Sequence, residues 1–250
     1  MSTIYITGLR GFIGTNLALK LKKKKFKVKE FKPSLLKEKN FSKDILVHLG
    51  QSSNSNSIHK KDDLKFIKKL KEKNFLHYVY ISSIKVYEKN ILNKNIKNYI
   101  HLKKQSEKSF DFNKTTILRC CNVYGIGQKK PTLLSTIINQ LQKKEKLYLD
   151  NFSNMIDYLW IGDLTDLILK TIKLKKNGIF DLSSQKKYSV KQICKKIIKL
   201  KKLSKIKLYE KKINITKPVK LNYSKTINEF SWIPKTSLDK GLKKLLNEKK

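Results

Sequence analysis

Thr7-Gly8-Leu9-Arg10-Gly11-Phe12-Ile13-Gly14 stands between a β-branched and aromatic run, Thr3 to Thr7, and an apolar pattern at Leu17, Leu19 and Leu21. The run reads as a strand and the pattern as a helix, so the glycines mark a strand-to-helix turn. Glycine there lets the chain take positive φ, lets backbone approach a pyrophosphate, and lets helix pack closely on strand with its N–H groups facing the anion. Taken alone, such a triplet is also compatible with an ordinary strand-helix turn.

Working outward, Phe26 to Phe31 reads as a second strand, Asp44 to Leu49 as a third, and Tyr78 to Ile81 as a buried strand preceded by a helix pattern at Leu64, Ile67 and Leu70. Tyr99 to Phe110 and Thr132 to Leu141 have helical patterns, with the strand-like Thr115 to Arg119 between them. Strands alternating with helices predict parallel crossovers and an α/β, Rossmann-type doubly wound parallel sheet. From about Leu147 short strands (Leu147 to Leu149, Ile179 to Leu182) mix with helices (Leu164 to Ile172, Val190 to Leu200, and one from Leu238). The expected organisation is a dinucleotide-binding domain over 1–146 and a smaller mixed α/β substrate lobe over 147–250, the two interleaved.

Composition bounds the function classes. In 250 residues, 39% are hydrophobic and clustered periodically, so a folded core is expected without metal or disulfide. Cys120, Cys121 and Cys194 form no CxxC pair, which fits a reducing cytoplasm. No apolar run is long enough to span a membrane, and the first residues read as strand rather than leader. The net charge of +39 comes almost wholly from lysine, with only Arg10 and Arg119 as arginines. A nucleic-acid reader favours arginine for bidentate contacts, so a solvated lysine surface is the favoured reading and nucleic-acid binding the weaker one.

Tyr99 and Lys103 lie one helical turn apart and project from one face, where a cation could favour the tyrosine's phenolate. Ser83 ends a parallel strand, the place where such sheets bind ligands. Each feature alone is common in a chain this rich in Lys, Tyr and Ser. Their order is more specific: TGxxGxxG at the start, His48-Leu49-Gly50, Ser82-Ser83-Ile84-Lys85-Val86-Tyr87, Tyr99 to Glu107, Leu118-Arg119-Cys120-Cys121-Asn122-Val123-Tyr124-Gly125, Asp157 to Asp163, Phe180 to Ser184, and Phe230 to Leu238. This succession resembles the extended short-chain dehydrogenase/reductases, in particular the nucleotide-sugar epimerase and dehydratase group.

The resemblance implies Tyr99 as acid/base, Lys103 as the cation that lowers its pKa and binds the nicotinamide ribose, and Ser83 and Asn122 as substrate contacts. It implies a dinucleotide held by Gly8, Arg10, Gly11, Phe12, Ile13, Gly14, Lys32, Leu49, Gly50 and Ser82 together with Tyr99 and Lys103, and no metal. The acid that accepts the ribose hydroxyls of NAD is replaced at the corresponding position by Lys32, which with Arg10 favours NADP over NAD. Glu30 lies close enough that a register error restores NAD, and Lys32 reads equally well as one more surface lysine.

The Asp-Glu pair of the dehydratases is replaced by Ile84 and Lys85, and no Cys stands at Lys85 as in epimerase-reductases. What remains is hydride transfer at one carbon: a nucleotide-sugar 4-epimerase or a 4-keto-sugar reductase, with a homodimer as the expected assembly. The family's diphosphate-binding arginine is replaced by Ile156, for which Lys129 or Lys130 could substitute. The short segments before Asp44 and between Tyr87 and Tyr99 imply a trimmed adenine side and substrate wall. The alternative from another class is a non-catalytic dinucleotide sensor or RNA-binding protein on the same fold.

Overall fold

The computed structural model describes residues 2–38, 40–50, 57–89, 91, 93–110, 112–128, 132–143, 146–203, 206–210 and 221–247, with the side chains of 57–61 and 142–143 left out. In chain order come β1 (Thr3–Thr7), α1 (Phe12–Lys23), β2 (Lys27–Glu30), β3 (Asn40–His48), α2 (Ser57–Lys71), β4 (Asn74–Ser83), α3 (Lys94–Ser109), β5 (Thr115–Cys120) and β6 (Asn122–Tyr124). Then follow α4 (Leu133–Lys143), β7 (Lys146–Leu149), β8 (Met155–Trp160), α5 (Ile161–Leu174), β9 (Gly178–Leu182), β10 (Lys187–Ser189), α6 (Val190–Leu200), β11 (Lys207–Glu210), α7 (Tyr223–Phe230) and α8 (Leu238–Leu246). The Ser/Asn-rich loop, Lys129, Lys130 and Pro131 lie outside the described residues.

Six strands form one parallel sheet in the order β2-β1-β3-β4-β5-β9. The reversal of direction at β1, flanked by β2 and β3, is the switch point of a doubly wound sheet, where the carboxyl ends of the strands part and leave a crevice. In the common order 3-2-1-4-5-6 a further strand lies outside the second. Here β2 is the edge, and a 3-10 turn over Pro33–Lys37 leads directly into β3. The short spacing before Asp44 has this physical meaning: a whole crossover is missing from the adenine side.

A parallel sheet is covered on both faces, so neighbouring residues of one strand enter different cores. Ile4, Ile6, Val47, Val79, Ile81 and Leu118 face an aliphatic core with α1 and α5. Tyr5, Leu46, Tyr78, Tyr80 and Ile117 face an aromatic core with Phe31, Phe41, Phe75 and Phe110. Phe41 and Phe75 stack at 4.5 Å, and Tyr5 meets Phe41 edge-on at 5.3 Å.

The chain leaves this sheet at Cys121 and starts β6 one residue later. β6 pairs parallel with β8, and β8 pairs antiparallel with β10, while β7 and β11 form a parallel pair. The segment then returns: α5 is tied to α1 by Lys20, whose Nζ reaches Asp166 at 2.5 Å and the Gly162 carbonyl at 3.1 Å, and β9 joins the large sheet. All three cysteines are free and buried. No described helix is long and apolar enough to cross a membrane.

Candidate active site

At the switch point the glycines are required by space. Gly8 has φ +67°, and a Cβ on it would stand 2.7 Å from Gly50 Cα. A Cβ on Gly14 would stand 2.2 Å from the Gly8 carbonyl oxygen, so α1 starts against the loop itself. Helix α1 begins at Phe12, inside the glycine segment, and its N-cap Gly11 offers no side-chain acceptor to the first-turn N–H groups. Those groups point into the crevice mouth and suit an anion. Thr7 locks the two loops: its Oγ1 accepts from Leu49 N and Gly50 N, both at 3.0 Å, and donates to His48 Nδ1 at 2.7 Å. These residues fit a dinucleotide diphosphate, with Phe12 and Ile13 half-buried behind the loop.

Ser83 ends β4 and caps the 3-10 turn that follows, its Oγ accepting from Lys85 N at 3.2 Å. Its own proton is thereby left for another acceptor, and Tyr99 lines the same cleft. Helix α3 starts at Lys94, capped by the Asn93 side chain, and brings Tyr99 and Lys103 against β4. Lys103 is buried, donates to the Ile81 carbonyl at 2.8 Å, and stands 5.7 Å from the Tyr99 ring centroid. Burial pulls its pKa down to about 8, with Cys120 and Glu107 holding the charge in place. Burial also pushes the Tyr99 phenol above its ordinary value, and the hydrogen bond from Ser83 works the other way. Tyr99 is thus a protonated donor at neutral pH.

Ser82 takes a different direction. Its hydroxyl donates to Glu107 Oε1 at 2.5 Å, away from Ser83, so any contact of Ser82 with a ligand would run through its backbone. Glu107 is buried and gripped by Arg119 through Nε at 3.0 Å and NH2 at 2.5 Å. Arg119 NH1 then donates to Tyr87 OH at 2.6 Å, Tyr87 donates to Asp181 at 2.9 Å, and Asp181 accepts from Asn222 N at 3.0 Å. One of the two arginines therefore ties α3, β5, the turn after β4, β9 and the start of α7 into one frame behind the reactive pair. Tyr99, Lys103 and Glu107 fall four residues apart on one helix face, the one sequence signal that could have announced this role.

At the other end, Arg10 is exposed and pairs with Glu30 at 3.7 Å, while Lys32 is exposed at the N-cap of the 3-10 turn. Glu30, not Lys32, is the last residue of β2. Asn122 opens β6 and faces a cleft of about 560 Å3 whose walls include Ser83, Lys85, Tyr99, Cys121, Ile156 and Tyr158. Among the described residues lining it there is no Asp or Glu. Asp157, beside Ile156, points instead into the lobe, where it accepts from Ser183 Oγ at 2.5 Å and Ser184 N at 2.9 Å.

Solved structures share this fold over the full chain. RMD from Pseudomonas aeruginosa complexed with NADPH superposes with a TM-score of 0.79 at 16% identity, covering 98% of each chain. A UDP-glucose 4-epimerase of Thermotoga maritima with UDP-glucose gives 0.77 at 19% identity over 98% of this chain and 97% of that one. A dTDP-glucose 4,6-dehydratase of Bacillus anthracis in complex with NAD gives 0.75 at 18% over 99% and 98%. In sequence, an uncharacterized protein of Schizosaccharomyces pombe is 29% identical over 168 residues, 53% of this chain, and the match spans about half of that protein (46%). Residues 63–182, which include Ser83, Tyr99, Lys103 and Asn122, match the model of the NAD dependent epimerase/dehydratase family. The central segment is thus similar to the NAD dependent epimerase/dehydratase family, and the Rossmann-type fold is shared from end to end.

Proposed function

We propose that the protein is an NAD(P)-dependent enzyme acting on a nucleotide sugar by hydride transfer at a single carbon, as a 4-keto-sugar reductase or 4-epimerase. The observation that carries this reading is that Ser83 and Tyr99 line one cleft, with Lys103 buried behind Tyr99 and no carboxylate among the described lining residues. Removing water from a sugar needs a placed acid and base, and Ile84 and Lys85 stand where related dehydratases carry an Asp-Glu pair. Hydride transfer needs one proton donor beside the reacting oxygen. Ser83 orients that oxygen, Tyr99 delivers or removes its proton, and Lys103 supplies positive charge beneath them. When bound, the nicotinamide supplies or accepts the hydride.

Denaturing the purified protein and identifying any released dinucleotide by mass tests the reading. Titration with NADPH and NADH then checks exchange. Failure to bind either dinucleotide overturns the proposal.

At the adenine end Arg10 and Lys32 favour NADP, while Glu30 at the end of β2 offers the acceptor that the ribose hydroxyls of NAD would use. Arg10 is held by Glu30 through one long, exposed ion pair, which costs little to exchange for a phosphate. Lys32 stands two residues beyond Glu30. Arg10→Ala is expected to weaken NADPH about 10-fold and NADH by less than about twofold, the loss of one charge-assisted contact. Equal losses for the two dinucleotides in fluorescence titration would show that Arg10 does not read the 2′-phosphate.

A further inference from the structure

We infer that the sugar of the substrate carries a carboxylate next to the reacting carbon and that Lys85 reads it. The inference rests on the hydride-transfer reading of Ser83 and Tyr99 and deepens it.

Lys85 lines the cleft and is the only Lys or Arg among the described residues that do so. The other titratable groups there are neutral: burial raises both the Cys121 thiol and the Tyr158 phenol, as it raises Tyr99. Among the described residues the wall thus carries a single formal charge, and it is positive. A lysine lining a cleft whose described walls carry no carboxylate favours an anionic group on the occupant.

Its position says which part of the occupant. Lys85 N donates to Ser83 Oγ at 3.2 Å, so the lysine starts one turn from the hydroxyl that orients the reacting oxygen. A four-methylene stem from there spans about one pyranose ring and reaches the substituents flanking the reacting carbon. For reaction at C4 the flanking exocyclic group is C6, whereas the diphosphate on C1 lies across the ring. A carboxylate at C6 is the anion within reach.

The side chain is also free to change partner. Its Nζ is held by Glu88 at 3.3 Å within the same turn, and both side chains are partly exposed. Glu88 is not among the residues lining the cleft, so a sugar carboxylate exchanges one salt link for another while Glu88 returns to water.

Equilibrium titrations of the dinucleotide-saturated protein with paired probes, UDP-glucuronate against UDP-glucose and the corresponding GDP-linked pair, isolate the C6 group because base, diphosphate and ring cancel. In the series that binds, the uronate is expected to bind about 10-fold or more tightly, a charge-assisted contact. The ratio is expected to fall to about one in Lys85→Met and to persist in Lys85→Arg. Equal binding of the pair by the unaltered protein, or a preference that survives Lys85→Met, overturns the inference and leaves the hydride-transfer reading standing. Binding of neither member in either series overturns both.

Discussion

Tyr99→Phe is expected to lower turnover by about 10²- to 10⁴-fold, the usual contribution of a placed acid or base, while dinucleotide affinity stays within about twofold. Phenylalanine keeps the ring that packs beside Lys103 and removes only the hydroxyl that Ser83 holds. Lys103 keeps its bond to the Ile81 carbonyl, and the Glu107–Arg119 pair one turn further along α3 is untouched, so the helix stays in register on β4. The loss therefore belongs to proton transfer rather than to folding. Thermal denaturation, dinucleotide titration and turnover measured on one preparation separate these effects. Turnover within about tenfold of the unaltered enzyme would mean that another cleft group, Tyr158 or Lys85, carries the proton.

What could be read from the sequence follows from what each element depends on. The inner strands of the large sheet are legible because they are buried on both faces and its helices have one apolar stripe, so local pattern carries the information, whereas the place of Ile179 to Leu182 as the sixth strand rather than in the smaller lobe is not local. β6 and β10 are three residues long, and β8, over Met155–Trp160, mixes charged and apolar side chains. They exist because β8 finds partners on both sides, at Asn122–Tyr124 and Lys187–Ser189, and no local pattern records that pairing. Helix α7 escaped in the same way: Tyr223–Phe230 has two buried residues, and Thr226 is fixed by the distant Asp181 carbonyl at 2.6 Å.

The reactive residues were legible for a different reason. Tyr99 and Lys103 lie on one helix, so spacing alone places them together. The frame behind them was not legible, because Ser82, Tyr87, Glu107, Arg119 and Asp181 come from five elements and meet only in three dimensions. The rarity of arginine pointed to Arg10 and Arg119 without separating their roles. The fold separates them: Arg119 is mostly buried in a bidentate pair, and Arg10 lies 84% exposed at the crevice mouth.

The protein is expected to lose about 5 kcal/mol of stability between pH 7 and pH 4.5 through two buried histidines. Burial lowers His48 to about 3, with the nearby Lys103 charge adding to it, and lowers His77 to about 4, with Lys175 adding. Both rings are neutral in the folded chain. Thr7 donates to His48 Nδ1, leaving Nε2–H among Phe66, Tyr80 and Phe110 without a hydrogen-bond partner among the described residues. His77 Nε2 is bonded to Thr116 Oγ1 at 2.8 Å. The unfolded chain takes up protons near the ordinary histidine value of about 6.5, whereas the folded chain does so only near the lowered values. Between those limits the unfolded state binds more protons, so stability falls as pH falls. At pH 4.5 each histidine contributes about two pH units of this difference, roughly 2.7 kcal/mol. Above about pH 5 the window lies clear of the ordinary carboxylate values of about 4, so the slope there belongs to the histidines. His77→Gln, which cannot titrate and keeps an amide for Thr116, is expected to halve the slope in urea unfolding measured from pH 7 to 4.5. Parallel curves for the two proteins would exclude His77 as a source. The remaining half reports on His48, where protonation of Nδ1 takes away the acceptor for Thr7 and so loosens the hydroxyl that joins the two loops of the crevice.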